Sequence, residues 1–320
     1  LEQAYDLRSD LISACTEYGQ FLKALVAFSW CLAKIDDDPE HFPFDYNAIW
    51  DYQALLCRAA AFDQVSMERL KSLLADYERR MAEINASERN FHEIRMRSAL
   101  ILRDKEMALA ARDGIKRTKG DSHSECDACV QNSLILTEAF FGDYKDARKL
   151  MQPLLDKKMS CNMVPLRTYG GMINYVYRSG DTELAKRIYK EGIKLIGRKG
   201  GFLEQIGNYL IYLSVTDKAE GRKVYEHSLL WALNETEMPW SVFHFHMGAH
   251  ILFKSLGKTR KTGKMQLPKA FKLYNEEGSY EYKALADYHL GEAQAFAARF
   301  DKRNGNTVAS DMLNGELARV

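Results

Sequence analysis

The sequence predicts an all-α protein assembled from stacked helical hairpins, an α-solenoid. Three observations carry this. Prolines are scarce, six in 320 residues, against about 5% in ordinary proteins, which favours long uninterrupted helices. A short turn pattern recurs every 36 to 42 residues or so, and a period of that size means stacked helix pairs. No stretch sustains the apolar–polar alternation of a strand.

The recurring element is Gly, a polar residue, three further positions and then Ala. It first reads Gly19-Gln20-Phe21-Leu22-Lys23-Ala24. The second copy, Arg103-Asp104-Lys105-Glu106-Met107-Ala108, has Arg in the Gly place. Gly142-Asp143-Tyr144-Lys145-Asp146-Ala147 and Gly180-Asp181-Thr182-Glu183-Leu184-Ala185 follow, with a weaker copy at Thr216-Asp217-Lys218-Ala219-Glu220-Gly221. Each position has a mechanical reason. Gly supplies the left-handed backbone that ends one helix, and Asp caps the next. Ala lets the two helices of a hairpin approach closely. Both flanks carry helical periodicity, as in Met172, Ile173 and Val176 before one turn and Ala185, Ile188 and Tyr189 after it. Pro153 falls inside the helix that follows Ala147 and is expected to kink or shorten it.

These residues resemble tetratricopeptide repeats (TPR). Gly180, Asp181, Ala185 and Tyr189 stand where that family has its turn glycine, turn polar residue, small packing residue and aromatic; Gly142, Asp143, Tyr144 and Ala147 match comparably, as do Gly19, Phe21, Ala24 and Phe28. The resemblance covers roughly residues 1–235, about six hairpins, and implies a right-handed superhelix. The units exceed the family's usual ~34 residues, so the superhelix is expected to be irregular. Residues 236–320 are read as C-terminal helices that continue or cap the solenoid, from Trp240 to Leu256 and from Tyr280 to Arg299, with a polar tail after Phe300 and a turn at Asn304-Gly305. A narrower resemblance is to uncharacterised bacterial TPR-like proteins with a Cys-x-x-Cys…Cys motif. Glu125-Cys126-Asp127-Ala128-Cys129, Cys161, Pro165 and Thr168 fit that pattern.

Composition narrows the partner class. Lys plus Arg number 45 against 44 Asp plus Glu, a net charge of +1, so bulk binding to nucleic acid or an anionic membrane is disfavoured. The longest early apolar run, Leu25 to Ala33, is far short of the ~20 residues a membrane span needs. No basic region followed by a small-residue cleavage site is present. The chain starts at Leu1 without Met, which is read as a missing N-terminal segment. Six cysteines are too few and too uneven for a disulfide scaffold, and the compartment is read as cytoplasm.

The densest constellation is His123-x-x-Cys126-x-x-Cys129 with Cys161. Cys126 and Cys129 share one helical face, and Cys161 follows Cys126 at close to one repeat. Three thiols can therefore converge between adjacent helix N-termini, where thiolate is favoured. With His123 as a fourth ligand they suit a structural zinc. The alternatives are a redox pair or reactive thiol, and plain core packing. Cys15, Cys31 and Cys57 lie in apolar helical contexts and are read as core. His244, His246 and His250 are read as hydrogen-bonded packing histidines, because no His-Glu-x-x-His pattern accompanies them.

Enzyme signatures are absent: there is no Walker loop, nucleophile elbow or dinucleotide fingerprint. Gly197-Arg198-Lys199-Gly200-Gly201 is read as a link between hairpins, and the basic stretch Lys258, Arg260, Lys261 and Lys264 as a mobile solvated loop. The TPR resemblance implies that the first helix of each hairpin lines a concave groove. That registration places Arg97, Asn132, Ser133, Arg167, Asn174, Tyr177 and Arg178 on the inner face, with Asp6, Ser9, Asp10, Ser13 and Glu17 forming an acidic N-terminal end. Arg forks suit a carboxylate and Asn side chains suit a peptide backbone. The expectation is a non-catalytic adaptor, regulator or inhibitor that binds a protein or peptide. The alternatives are a peptide-sensing regulator, resembling bacterial quorum-sensing receptors built from TPR repeats, and a thiol- or zinc-dependent enzyme using Cys126, Cys129 and Cys161.

Overall fold

A computed structural model describes residues 1–17, 19–197, 202–234 and 238–319. Two compact units result, Leu1–Glu125 and Cys126–Val320. The described residues are predominantly helical, with one two-stranded sheet, so the all-α expectation holds.

The first unit contains α1 (Glu2–Glu17), α2 (Phe21–Asp37), α3 (Tyr46–Ala59), α4 (Met67–Glu83), α5 (Glu88–Leu102) and α6 (Lys105–Arg117). The turn chemistry read from the sequence is what forms. Gly19 takes φ 80°, and Arg103, standing in a Gly place, takes φ 56°. The Asp104 side chain accepts from the Met107 N–H at 2.9 Å and so caps α6. Ala24 and Ala108 have no exposed surface, which is what a close-packing residue in a hairpin requires. Aromatic rings fill the unit's core: Phe21 stacks on Phe62 at 4.1 Å, and Phe28 packs on the buried Tyr52.

The second unit runs through α7 (Asp127–Phe141), α8 (Tyr144–Leu150), α9 (Gln152–Leu155), α10 (Leu166–Arg178), α11 (Thr182–Ile196), α12 (Leu203–Thr216), α13 (Lys218–Ala232), α14 (Pro239–Gly257), α15 (Tyr282–Asn304) and α16 (Val308–Leu317). Gly142 and Gly180 sit at φ 85° and 90° with open space around their missing Cβ, so backbone handedness and not crowding selects glycine there. Asp143, Asp181 and Asp217 each accept from a backbone N–H three residues on. Pro153 interrupts the helix as expected, splitting it into α8 and the single turn α9.

The C-terminal portion packs within the second unit. α14 lies against α12 and α15, and every residue from Pro239 to Phe253 is buried. The contact with α12 is backbone on backbone: a Cβ on Gly207 would lie 2.2 Å from the His244 carbonyl oxygen, and one on Gly248 would lie 2.2 Å from that of Gly207. The loop read as mobile contains structure. Thr262–Lys264 (β1) pairs antiparallel with Ser279–Glu281 (β2), Gly263 opposite Tyr280, and Gly263, Met265 and Leu267 are buried while Lys258, Arg260, Lys261 and Lys264 stay exposed. Three-residue strands are too short to show period-two alternation, and Gly263 serves because a Cβ there would meet the Tyr282 hydroxyl at 1.9 Å. Gly305 turns the chain at φ 69°, and the polar tail then forms α16, which buries Ala309 and Leu313. Of the glycine-rich link at 197–201, residues 198–201 lie outside the described residues.

Candidate functional site

The chain gathers three thiols at the start of the second unit. Cys126 is the extended N-cap residue of α7, Cys129 lies in that helix's first turn, and Cys161 sits in the loop between α9 and α10. The three sulfurs all lie within 4.8 Å of one another, with Cys129 and Cys161 at 3.6 Å. Tetrahedral zinc with Zn–S near 2.3 Å sets sulfurs about 3.8 Å apart, so this triangle needs little movement to accept the ion. The Cys161 loop is shaped around its sulfur. Its own N–H bonds to the Val164 carbonyl at 2.9 Å, while the N–H groups of Met163 and Val164 donate to the thiol sulfur. Burial pushes the Cys161 thiol up, but these N–H groups and the thiols of Cys129 and Cys126 outweigh it and bring the pKa below its ordinary value. The Cys161 thiol therefore loses its proton more readily than an ordinary thiol, and the thiolate is the form a metal requires. Cys126 is exposed and the other two are half-buried, leaving one side open to solvent.

His123, expected as the fourth ligand, is not one of the three grouped residues and belongs to the first unit. Its N–H donates to Asp121, its carbonyl accepts from the Gln53 amide, and its ring faces Tyr46. Its Nδ1 is buried without a hydrogen-bond partner among the described residues.

The residues assigned to a groove divide by what they touch. Asn132 accepts from the Thr168 hydroxyl at 2.7 Å and Asn174 donates to the Asn208 carbonyl at 3.1 Å. Both amides are buried, and together they tie α7 to α10 and α10 to α12, fixing the register of successive first helices. The Ser133 carbonyl accepts from Thr137 within α7. Arg167 and Tyr177 are half-buried on α10, and Arg178 is exposed. Tyr177 packs edge-on against Tyr212, and the Arg178 fork holds both oxygens of Glu316 on α16. In the first unit, Asp6, Asp10 and Ser13 are exposed on α1, Ser9 is half-buried and the Glu17 side chain lies outside the described residues. Arg97 is paired with Glu125.

The histidine-rich helix behaves as a packing element, with one partner the sequence did not single out. His289 on α15 is fully buried, its Nε2 bonded to the Tyr225 hydroxyl at 2.9 Å and its Nδ1 to His246 Nδ1 at 2.7 Å. His250 Nδ1 donates to the Ala286 carbonyl at 2.8 Å. Burial drops His246 to about 3, and burial together with the charges His246 and His250 would carry holds His289 well below the usual range. A histidine that stays neutral in the fold contributes stability present above its unfolded pKa of about 6.5 and lost as pH falls toward its folded value. Unfolding of the second unit therefore becomes easier by about 1.4 kcal/mol per pH unit for each of the two rings below pH ~6.5. Thermal melts between pH 7.5 and 5.0 check this, and a pH-independent melting temperature would contradict it.

Comparison of the chain with protein-family models, curated proteins and solved structures returned no match. Among the described residues, no helix is long and apolar enough to cross a membrane.

Proposed function

We propose that this chain is a non-catalytic, TPR-like helical-hairpin protein that binds a protein or peptide along the first helices of its hairpins. The observation that supports this most is the buried amide ladder. Asn132–Thr168 and Asn174–Asn208 hold α7, α10 and α12 in fixed register and leave the cationic and aromatic side chains of α10 at the surface. A fixed array of helices presenting Arg and Tyr suits an extended or helical segment bearing acidic groups. Arg178 is held by Glu316, and a partner's carboxylate would exchange with that internal one.

Cys126, Cys129 and Cys161 would hold a structural zinc that staples the start of α7 to the loop before α10, with water as fourth ligand. Thiols that serve a metal must stay reduced, which supports a reducing compartment such as the cytoplasm.

The test is capture of partners from native cells with wild type and with Arg167, Tyr177 and Arg178 all changed to Ala. A partner retained by wild type and lost by the variant, with unchanged melting, is the expected result. Equal capture by both proteins would overturn the assignment of this face.

A further inference from the structure

The first unit carries a half-buried arginine whose charge is left unanswered. Arg58 ends α3, and its Nη1 donates to the Ala54 carbonyl at 2.7 Å. Among the described residues no carboxylate pairs with it. A guanidinium withdrawn from water without a counter-charge costs several kcal/mol, and native proteins seldom keep one without a use.

Its surroundings show what is missing. Arg97, on the neighbouring α5, is ion-paired with Glu125, and both side chains are mostly covered. The second Glu125 oxygen takes the Cys57 thiol at 3.6 Å, so neither oxygen serves Arg58. The Glu125 N–H in turn donates to Glu93 at 3.0 Å, and Glu93 answers Arg89 at 3.1 Å. Arg89 pairs with Glu93 and Arg97 with Glu125, and because burial raises the Glu93 carboxyl to about 7, the excess of positive charge around Arg58 is at least one. The two guanidiniums feel each other: burial, and after it the positive charge of Arg97, depress the Arg58 pKa, with Cys57 acting in the opposite sense. An excess of one positive charge matches a monoanion, and the resident Glu125 carboxylate would repel a dianionic phosphate.

We propose that Arg58 and Arg97 form a carboxylate-binding site on α3 and α5, which takes an acidic side chain or the C-terminus of a bound peptide. It rests on the peptide-binding reading above and names the chemistry of that ligand. Arg58 supplies the vacant fork and Arg97 the flanking charge, while Glu125 holds the Arg97 end of the site in place when no peptide is bound.

The experiment is fluorescence anisotropy on the full chain with three labelled peptides. Gly-Glu-Glu-Glu-Gly amide carries only side-chain carboxylates, Gly-Gln-Gln-Gln-Gly with a free C-terminus carries only the terminal one, and the amidated Gln peptide carries none. The expected result is at least tenfold tighter binding of one carboxylate peptide than of the neutral control, and which one binds names the source. Arg58→Gln, which removes the charge and keeps a polar side chain with an N–H donor, should reduce that affinity to the control level. Arg58→Gln should also melt no lower than wild type, because it removes an uncompensated charge; a purely structural arginine would lower the melting temperature instead. Equal binding of all three peptides, or binding unchanged in Arg58→Gln, overturns the inference. Neither outcome bears on partner capture through α10, which the Arg167, Tyr177 and Arg178 variant reports separately.

Discussion

Replacing Cys161 with Ser should remove co-purifying zinc and lower the melting temperature by roughly 8–16 °C, and a chelator should reproduce the drop in the wild type. A cross-link between Cys126 and Cys161 closes a loop of about 35 residues, a constraint worth about 4 kcal/mol, and ~1 kcal/mol moves the midpoint of a unit this size by ~2–4 °C. The loop between α9 and α10 depends on it, since the Cys161 sulfur is the acceptor around which the N–H groups of Met163 and Val164 turn. Cys126→Ser should act in the same direction but more weakly, because Cys126 is exposed and its serine would be solvated. Metal analysis of the purified protein checks the premise directly. Less than about a tenth of an equivalent of zinc, with melting indifferent to chelator, would falsify the metal assignment and leave the three cysteines as packing groups.

The second large effect concerns the crossing of α12 and α14. Gly207→Ala or Gly248→Ala should destabilise the second unit by about 3 kcal/mol or more. The added methyl group meets carbonyl oxygens 2.2 Å away in both cases, and on Gly207 it also meets the Phe245 nitrogen at 2.9 Å. Backbone atoms cannot rotate aside as a side chain does, so the helices must separate and open the core formed by Leu210, Phe245, Ala249 and Leu252. Gly291→Ala is the matched control. Gly291 is in the interior of α15 with nothing within 4 Å of the new methyl, and the substitution should stabilise by up to ~1 kcal/mol through helix propensity. Denaturant melts of the three variants decide it; equal midpoints for Gly207→Ala and Gly291→Ala would contradict the crossing geometry.

Legibility in the sequence followed the range of the interaction. Caps and turns are local, so Asp104, Asp143, Asp181 and Asp217 could be assigned from their neighbours alone, and even Arg103 could be placed in a glycine position. The thiol triangle was legible because a repeat converts a separation of about one period into a spatial contact, and Cys126 with Cys161 obeys that rule. Side-chain destinations were not legible. Register put Asn132 and Asn174 on first helices, yet whether an amide points to solvent or to the adjacent helix depends on interhelical spacing, and here both turn inward. Arg58 escaped notice because no turn signature precedes α3 to register it. His289 escaped because its partners, Tyr225 and His246, lie 64 and 43 residues away. The β1–β2 pair was too short to leave a pattern.

α14 has a consequence for biosynthesis. A helix with one apolar stripe can wait at the surface of a half-made protein, but one buried on every side from Pro239 to Phe253 has no face that water tolerates. During translation it leaves the ribosome before α15 exists to cover it, with only α12 and α13 already available. Until the ribosome completes α15, the nascent chain displays its stickiest segment, and that interval is when it most needs a chaperone.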